Sequence, residues 1–171
     1  MLKDCNIHAQ PQPLDQAGLR ALQVGEGLAM FVFNCPDEDE HLVWGVVCNP
    51  VIELPEGKDR NLESSEEGCL SWPGAYQPLA RPDQAICTGQ DENGNPVRIV
   101  GTGLLARCLQ HETDHLRGVV FGDRLSRRSR KLLDQQRAEL AHLFPDDWPV
   151  QPKGRDTGDD QPPSDDQDLS G

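Results

Sequence analysis

His111-Glu112-Thr113-Asp114-His115 lies inside Gly103 to Leu116 (GLLARCLQHETDHL), a run of good helix formers that stops two residues before Gly118, placed as a C-terminal cap would be. On a helix a four-residue offset advances about 400°, which leaves the two imidazoles one turn apart on one face and able to bind one metal ion together. This constrains the rest of the chain. A catalytic zinc-type site uses three protein ligands and keeps a position open for water, so the fold has to bring a further ligand to this helix. Two histidines on a helix surface that happen to flank a glutamate would ask for no such partner.

No third histidine follows at metzincin spacing, which leaves cysteines and carboxylates. Cys108 sits one turn before His111, but ligands from consecutive turns of one helix would crowd a tetrahedral site, and its surroundings suit core packing. Cys69 sits in Glu67-Gly68-Cys69-Leu70-Ser71, where glycine lets the backbone come close and Trp72-Pro73 ends the segment. It is the better ligand. Six cysteines (Cys5, Cys35, Cys48, Cys69, Cys87, Cys108) are too few for a disulfide-built scaffold, and a reducing compartment would keep them as thiols.

A chain of 171 residues suffices for one domain that buries a core without staples. Against 16 Lys+Arg stand 29 Asp+Glu, and the net charge of -13 disfavours direct nucleic-acid binding and anionic lipid surfaces. The mean hydropathy is -0.62, and no run approaches the roughly 20 apolar residues that cross a bilayer, so no membrane association is expected. The opening MLKDCNIHAQPQPLDQ has no apolar stretch to act as a secretory signal, which points to a cytoplasmic location.

Two short apolar runs, Leu28 to Asn34 and Leu42 to Cys48, flank the acidic turn CPDEDEH and read as an antiparallel pair. Gln84 to Thr88 and Val97 to Val100 flank DENGN, whose Asn93-Gly94 step supplies the positive φ of a tight hairpin. Ser126 to Phe144 repeats Leu132, Leu133, Leu140 and Leu143 at helical spacing before Pro145. From Pro149 to Gly171 the chain holds Pro, Gly, Ser and Asp with a single leucine, and reads as a disordered acidic tail. The expectation is an α+β fold with antiparallel or mixed sheets around a central HExxH helix, a C-terminal helix, a domain over 1–148 and a tail over 149–171.

EEGCLS at Glu66 to Ser71, followed by LQHETDH at Leu109 to His115, closely resembles the second and third signature motifs of the peptide deformylases. Two placements compete for the first motif, G-x-G-L-A-A-x-Q. GEGLA at Gly25 to Ala29 has the glycines but no glutamine behind it, whereas QAGLRALQ at Gln16 to Gln23 keeps Gly18, Leu19, Ala21 and Gln23, and is the one adopted. There Gln16 replaces the first glycine and Arg20 a small alanine, and 15 residues precede the motif where relatives usually carry a longer helical segment. The resemblance runs from about Gln16 to Phe144.

The resemblance implies that Cys69, His111 and His115 hold one divalent ion, Fe2+ by preference with Zn2+ or Ni2+ accommodated. It implies that Glu112 is general base and then acid, and that the Gln23 amide and the Leu70 backbone N–H donate to the formyl oxygen. Ala17 and Gly18 would place the substrate backbone beside a strand edge, as an added strand. Taken singly, Gly18 reads as a turn glycine and Gln23 as a surface amide. The implied activity is removal of the N-formyl group from the initiator methionine of newly made peptides by a monomer, with the ribosome as the place such peptides are met. The alternatives are a degenerate, non-catalytic paralogue that keeps its metal as a binding module, and an HExxH endopeptidase.

Three further expectations concern the surroundings of the ligands. Glu67 and Arg81 are expected to pair and orient the Cys69 loop, since such support has value at metal sites. Trp72 and Tyr76 read as packing or rim residues, and Asp114 as a solvated or locally bonded carboxylate.

Overall fold

A computed structural model describes residues 18–20, 28–37 and 39–143. Strands β1 (Gly18–Arg20), β2 (Met30–Pro36), β3 (Leu42–Glu53), β6 (Gln84–Gln90) and β7 (Pro96–Thr102) form one sheet in the order β1-β2-β3-β6-β7. Strands β4 (Leu62–Gly68) and β5 (Tyr76–Pro82) form a second, two-stranded sheet. Every pairing among the described residues is antiparallel. Three helices follow: α1 (Gly103–Leu116), α2 (Phe121–Arg124) and α3 (Arg127–Leu140). None of the described helices is long and apolar enough to cross a membrane.

The two expected hairpins are both present. In β2, Phe31, Phe33 and Cys35 are buried while Val32 and Asn34 are exposed, the alternation that seats one face of a sheet on a core. With Val47 and Cys87 these inward residues pack against Leu105, Cys108 and Leu109 of α1. Cys108 is therefore a core residue, as its position suggested. The second hairpin closes through Asp91, whose Oδ1 accepts the backbone N–H of Asn93 and of Asn95, each at 2.8 Å, with the positive φ at Gly94. Gly101 lets β7 meet α1 closely, since a Cβ there would stand 2.9 Å from the Ala106 nitrogen.

Helix α1 has the limits its sequence suggested and ends on Gly118 at φ 75°, with Val119 N–H reaching the Asp114 carbonyl at 3.0 Å. Ser126 caps α3 by accepting from the Ser129 N–H at 3.1 Å. Regular α-helix ends at Leu140, short of the expected Phe144, and passes into a 3-10 turn over Ala141–Leu143.

The β4–β5 pair was not expected from the sequence, and the reason is chemical. LESSEEG and YQPLARP bury Glu67, Gln77 and Arg81 toward the interior, so polar residues occupy positions where a strand pattern normally shows apolar ones. A second core of Cys69, Trp72, Ala75, Leu79, Phe121 and Leu133 fills the space between this hairpin, α2 and α3.

Candidate metal centre

Cys69 follows β4 directly and begins a turn in which the Trp72 N–H donates to the Cys69 carbonyl at 2.8 Å and the Ala75 N–H to the Trp72 carbonyl at 3.0 Å. The turn aims Sγ at α1, where it stands 3.3 Å from His115 Nε2. His111 Nε2 and His115 Nε2 are 2.8 Å apart, with their rings edge to face at 86°. One donor atom from each of Cys69, His111 and His115 lies within 4.8 Å of the others. The structure thus brings together the three residues expected to form the site, and Cys69 and His115 are 6% and 3% exposed.

Glu67 organises the next layer. Its Oε1 accepts from His111 Nδ1 at 2.7 Å and from an Arg81 terminal nitrogen at 2.7 Å, and its Oε2 accepts from Arg81 Nε at 2.8 Å and from Arg107 at 2.9 Å. The expected Glu67–Arg81 pair is present and bidentate, and Arg81 continues to Asp114 at 2.9 Å. Asp114 departs from expectation. It is 5% exposed and also accepts from Arg124 Nε at 3.0 Å, so it is a buried bridge between two arginines that lie far from it in sequence or on the next helix.

Burial alone would raise the Glu67 carboxyl, but the Arg81 guanidinium and the His111 ring outweigh it and hold the group well below the usual carboxylate range. Burial likewise opposes the thiolate of Cys69, yet His111 and the Ser71 N–H, which donates to Sγ at 3.5 Å, lower its pKa. His111 shows the reverse. Burial would lower it, but Cys69, Glu67 and Glu112 push it up to about 10.

These groups fit a divalent cation. A thiol whose pKa His111 and Ser71 lower and two imidazole nitrogens facing each other at 2.8 Å gather three soft or borderline donor atoms within 4.8 Å, and Glu67 braces the far side of the His111 ring. One sulfur with two nitrogens suits iron or zinc, whereas magnesium or calcium would ask for oxygens. The group Asp37, Asp39 and His41 also gathers ligand atoms, but it is the turn after β2, where Asp37 Oδ1 closes the loop on the N–H groups of Asp39 and His41.

Glu112 is 4% exposed on α1 between the two histidines, and Leu70 sits in the turn just after Cys69. Gly18 opens β1, opposite Phe33, at the edge of the larger sheet. Gln16, Ala17, Gln23 and the segment from 149 lie outside the described residues. Trp72 is a packing residue as expected: its ring meets Phe121 edge-on at 5.6 Å, takes the Arg130 guanidinium on its face at 4.6 Å and donates Nε1–H to Asp134 at 3.0 Å. Tyr76 is half-buried.

Sequence reasoning missed Arg107, Arg124 and Phe121, whose ring centroid is 6.4 Å from that of His111. Arg107 left one readable signal, a charge four residues before His111 on a face otherwise made for burial.

Residues 6–131 match the family described as polypeptide deformylase. The chain is 50% identical over 141 residues to peptide deformylase 1 of Streptomyces avermitilis, covering 82% of this chain and 65% of that protein. It is 46% identical to a peptide deformylase of Acidothermus cellulolyticus over 77% of this chain and 67% of the relative. The chain thus spans less than two thirds of the length of the first such relatives, 65% of the one from Streptomyces avermitilis and 61% of one from Corynebacterium efficiens. Among solved structures, a peptide deformylase from Legionella pneumophila superposes with a TM-score of 0.62 at 36% identity over 74% of this chain and 72% of its own. One from Synechococcus elongatus, solved in complex with actinonin, gives 0.60 at 45% identity over 70% and 65%.

Proposed function

The chain belongs to the polypeptide deformylase family, and from that premise we propose that it is a metal-dependent hydrolase that removes the formyl group from the N-terminal methionine of newly made peptides, releasing formate. The observation that carries this reading is the convergence, within 4.8 Å, of Cys69 from the turn after β4 with His111 and His115 of α1, the helix that also buries Glu112 beside His111 in sequence. A site built only for structure has no use for a carboxylate in that position. Cys69, His111 and His115 hold the ion, ferrous iron as the resident metal with zinc or nickel accommodated. A bound divalent cation supplies Lewis acidity, bringing the pKa of a coordinated water toward neutrality.

The chain's own residues then have separable tasks. Glu112 takes a proton from the attacking water and, as the bond between formyl carbon and amide nitrogen breaks, delivers it to the leaving amine. The Leu70 backbone N–H and the Gln23 side-chain amide donate to the formyl oxygen as it gains negative charge, and losing one such donor typically costs about 10² to 10³ in rate. Ala17 and Gly18 bind the peptide backbone as an added strand, which the position of β1 at a sheet edge supports. The catalytic domain is 1–148, acting as a cytoplasmic monomer on nascent formyl-methionyl peptides at the ribosome, and 149–171 is an acidic tail.

The test is formate release from a formyl-methionyl peptide by anaerobically prepared, ferrous-loaded protein, beside Glu112→Gln protein of equal metal content. Release by the wild type and its loss in the variant are expected. Equal background from both, with metal bound in each, would refute the reading.

A further inference from the structure

Arg107, His111 and His115 are spaced by four along α1, so the guanidinium stands one turn before the first imidazole on the same stripe. Arg107 is 7% exposed, and a guanidinium taken out of water is tolerated only where acceptors meet it. Three do. One terminal nitrogen donates to Glu67 Oε2 and to the Leu79 carbonyl, each at 2.9 Å, and the other to the Glu63 carbonyl at 3.0 Å. Glu63 and Glu67 lie on β4 and Leu79 on β5, so one side chain of α1 reaches both strands of the hairpin that carries Cys69.

With Arg107 in place, Glu67 accepts from four donors, two from Arg81 and one each from Arg107 and His111. That is about the number of lone-pair sites a carboxylate offers. A group held at all of them cannot swing, and because an ionised carboxylate only accepts, it keeps the proton of a neutral His111 ring on Nδ1 and leaves Nε2, 2.8 Å from His115 Nε2, facing the ligand group. Arg81 ties Glu67 to Asp114, near the C-terminal end of α1, whereas Arg107 ties it to the N-terminal half. Neither replaces the other.

We propose that Arg107 is a positioning residue for the metal centre, setting the hairpin that bears Cys69 against the helix that bears His111 and His115. It rests on the reading of those three residues as the ligands. The test uses full-length chain loaded with cobalt(II), following release of the ion to a chelator and the visible spectrum of the bound cobalt, in Arg107→Met, Arg107→Lys and Val47→Ala.

Loss of support behind a metal ligand typically weakens affinity about 10- to 100-fold, and Arg107→Met is expected to release cobalt faster by that order, with an altered spectrum. Arg107→Lys keeps the charge but has no planar fork to span three acceptors, and is expected between the two. Val47 is fully buried on β3 in the other core, so Val47→Ala lowers stability while release stays at the wild-type rate. A wild-type rate and spectrum in Arg107→Lys overturns the proposal even where Arg107→Met fails to fold. Wild-type chain that holds no equivalent of cobalt overturns it together with the ligand reading. Cobalt held, the rate difference seen and no formate released by ferrous-loaded wild type would support the positioning role and refute only the proposed reaction.

Discussion

Glu67 Oε1 accepts from His111 Nδ1 at 2.7 Å, and through the same carboxylate the helix that carries two ligands is bound to the strand that leads into the third. This carboxylate is a structural member as much as an electrostatic one. Glu67→Gln leaves Arg81 and Arg107 buried against a neutral amide that cannot accept at both ends, and breaking one side of a buried ion pair costs about 3–5 kcal/mol. Urea unfolding of the variant is expected to show an unfolding free energy lower by that amount, through a lower midpoint at an unchanged m-value.

The pH dependence follows from the same group. Because the folded-state pKa of Glu67 lies well below its unfolded value of 4.5, the native state binds fewer protons in this range. Its stabilisation is fully present above the unfolded value and is lost as pH falls through the folded one. Unfolding free energy measured from pH 6 downward is expected to decline more steeply in wild type than in Glu67→Gln, and parallel declines would contradict the assignment.

Asp114 and Arg124 separate a buried charge from an exposed one. Asp114→Asn strips the carboxylate from between two guanidiniums at a site whose side chain is 8% exposed, whereas Arg124 is 47% exposed and can be rehydrated. Thermal unfolding is expected to place Asp114→Asn about 2 kcal/mol or more below Arg124→Met.

These charged residues mark the boundary of what the sequence discloses. The two hairpins of the larger sheet and the extent of α1 were legible because short apolar runs flank an acidic turn and an Asn93-Gly94 step, and the helix ends at a glycine. The Cys-His-His group was legible from local spacing plus one family likeness. The β4–β5 hairpin was not, since its buried face is Glu67, Gln77 and Arg81, and polar residues read as solvent-facing until their partners are known. Asp114 was misjudged for the same reason: Arg81 is 33 residues away, and α2 is too short for periodicity to reveal. A site that satisfies its charges across sequence distance hides them from a local reading.

Gly101 tests the close approach of β7 to α1. Gly101→Ala puts a Cβ 2.9 Å from a backbone nitrogen and 3.0 Å from Leu105 and Leu109, and such overpacking typically costs about 1–3 kcal/mol. The unfolding midpoint should fall, with full metal occupancy retained in the folded protein.

Metal removal should uncouple stability from the site. A ligand that binds only the native state at a hundredfold its dissociation constant stabilises by about 2.7 kcal/mol, so chelation is expected to lower the thermal midpoint and cobalt or zinc to restore it. In Cys69→Ala protein neither addition nor chelation should move the midpoint.

The most direct measurement is metal content per chain, by elemental analysis after anaerobic loading and desalting, for wild type, Cys69→Ala and His115→Ala. One equivalent in the wild type, falling below about a tenth in both variants as the three-ligand chemistry requires, is the expected result. A full equivalent retained in either variant, or none in the wild type, would contradict a metal centre built from Cys69, His111 and His115.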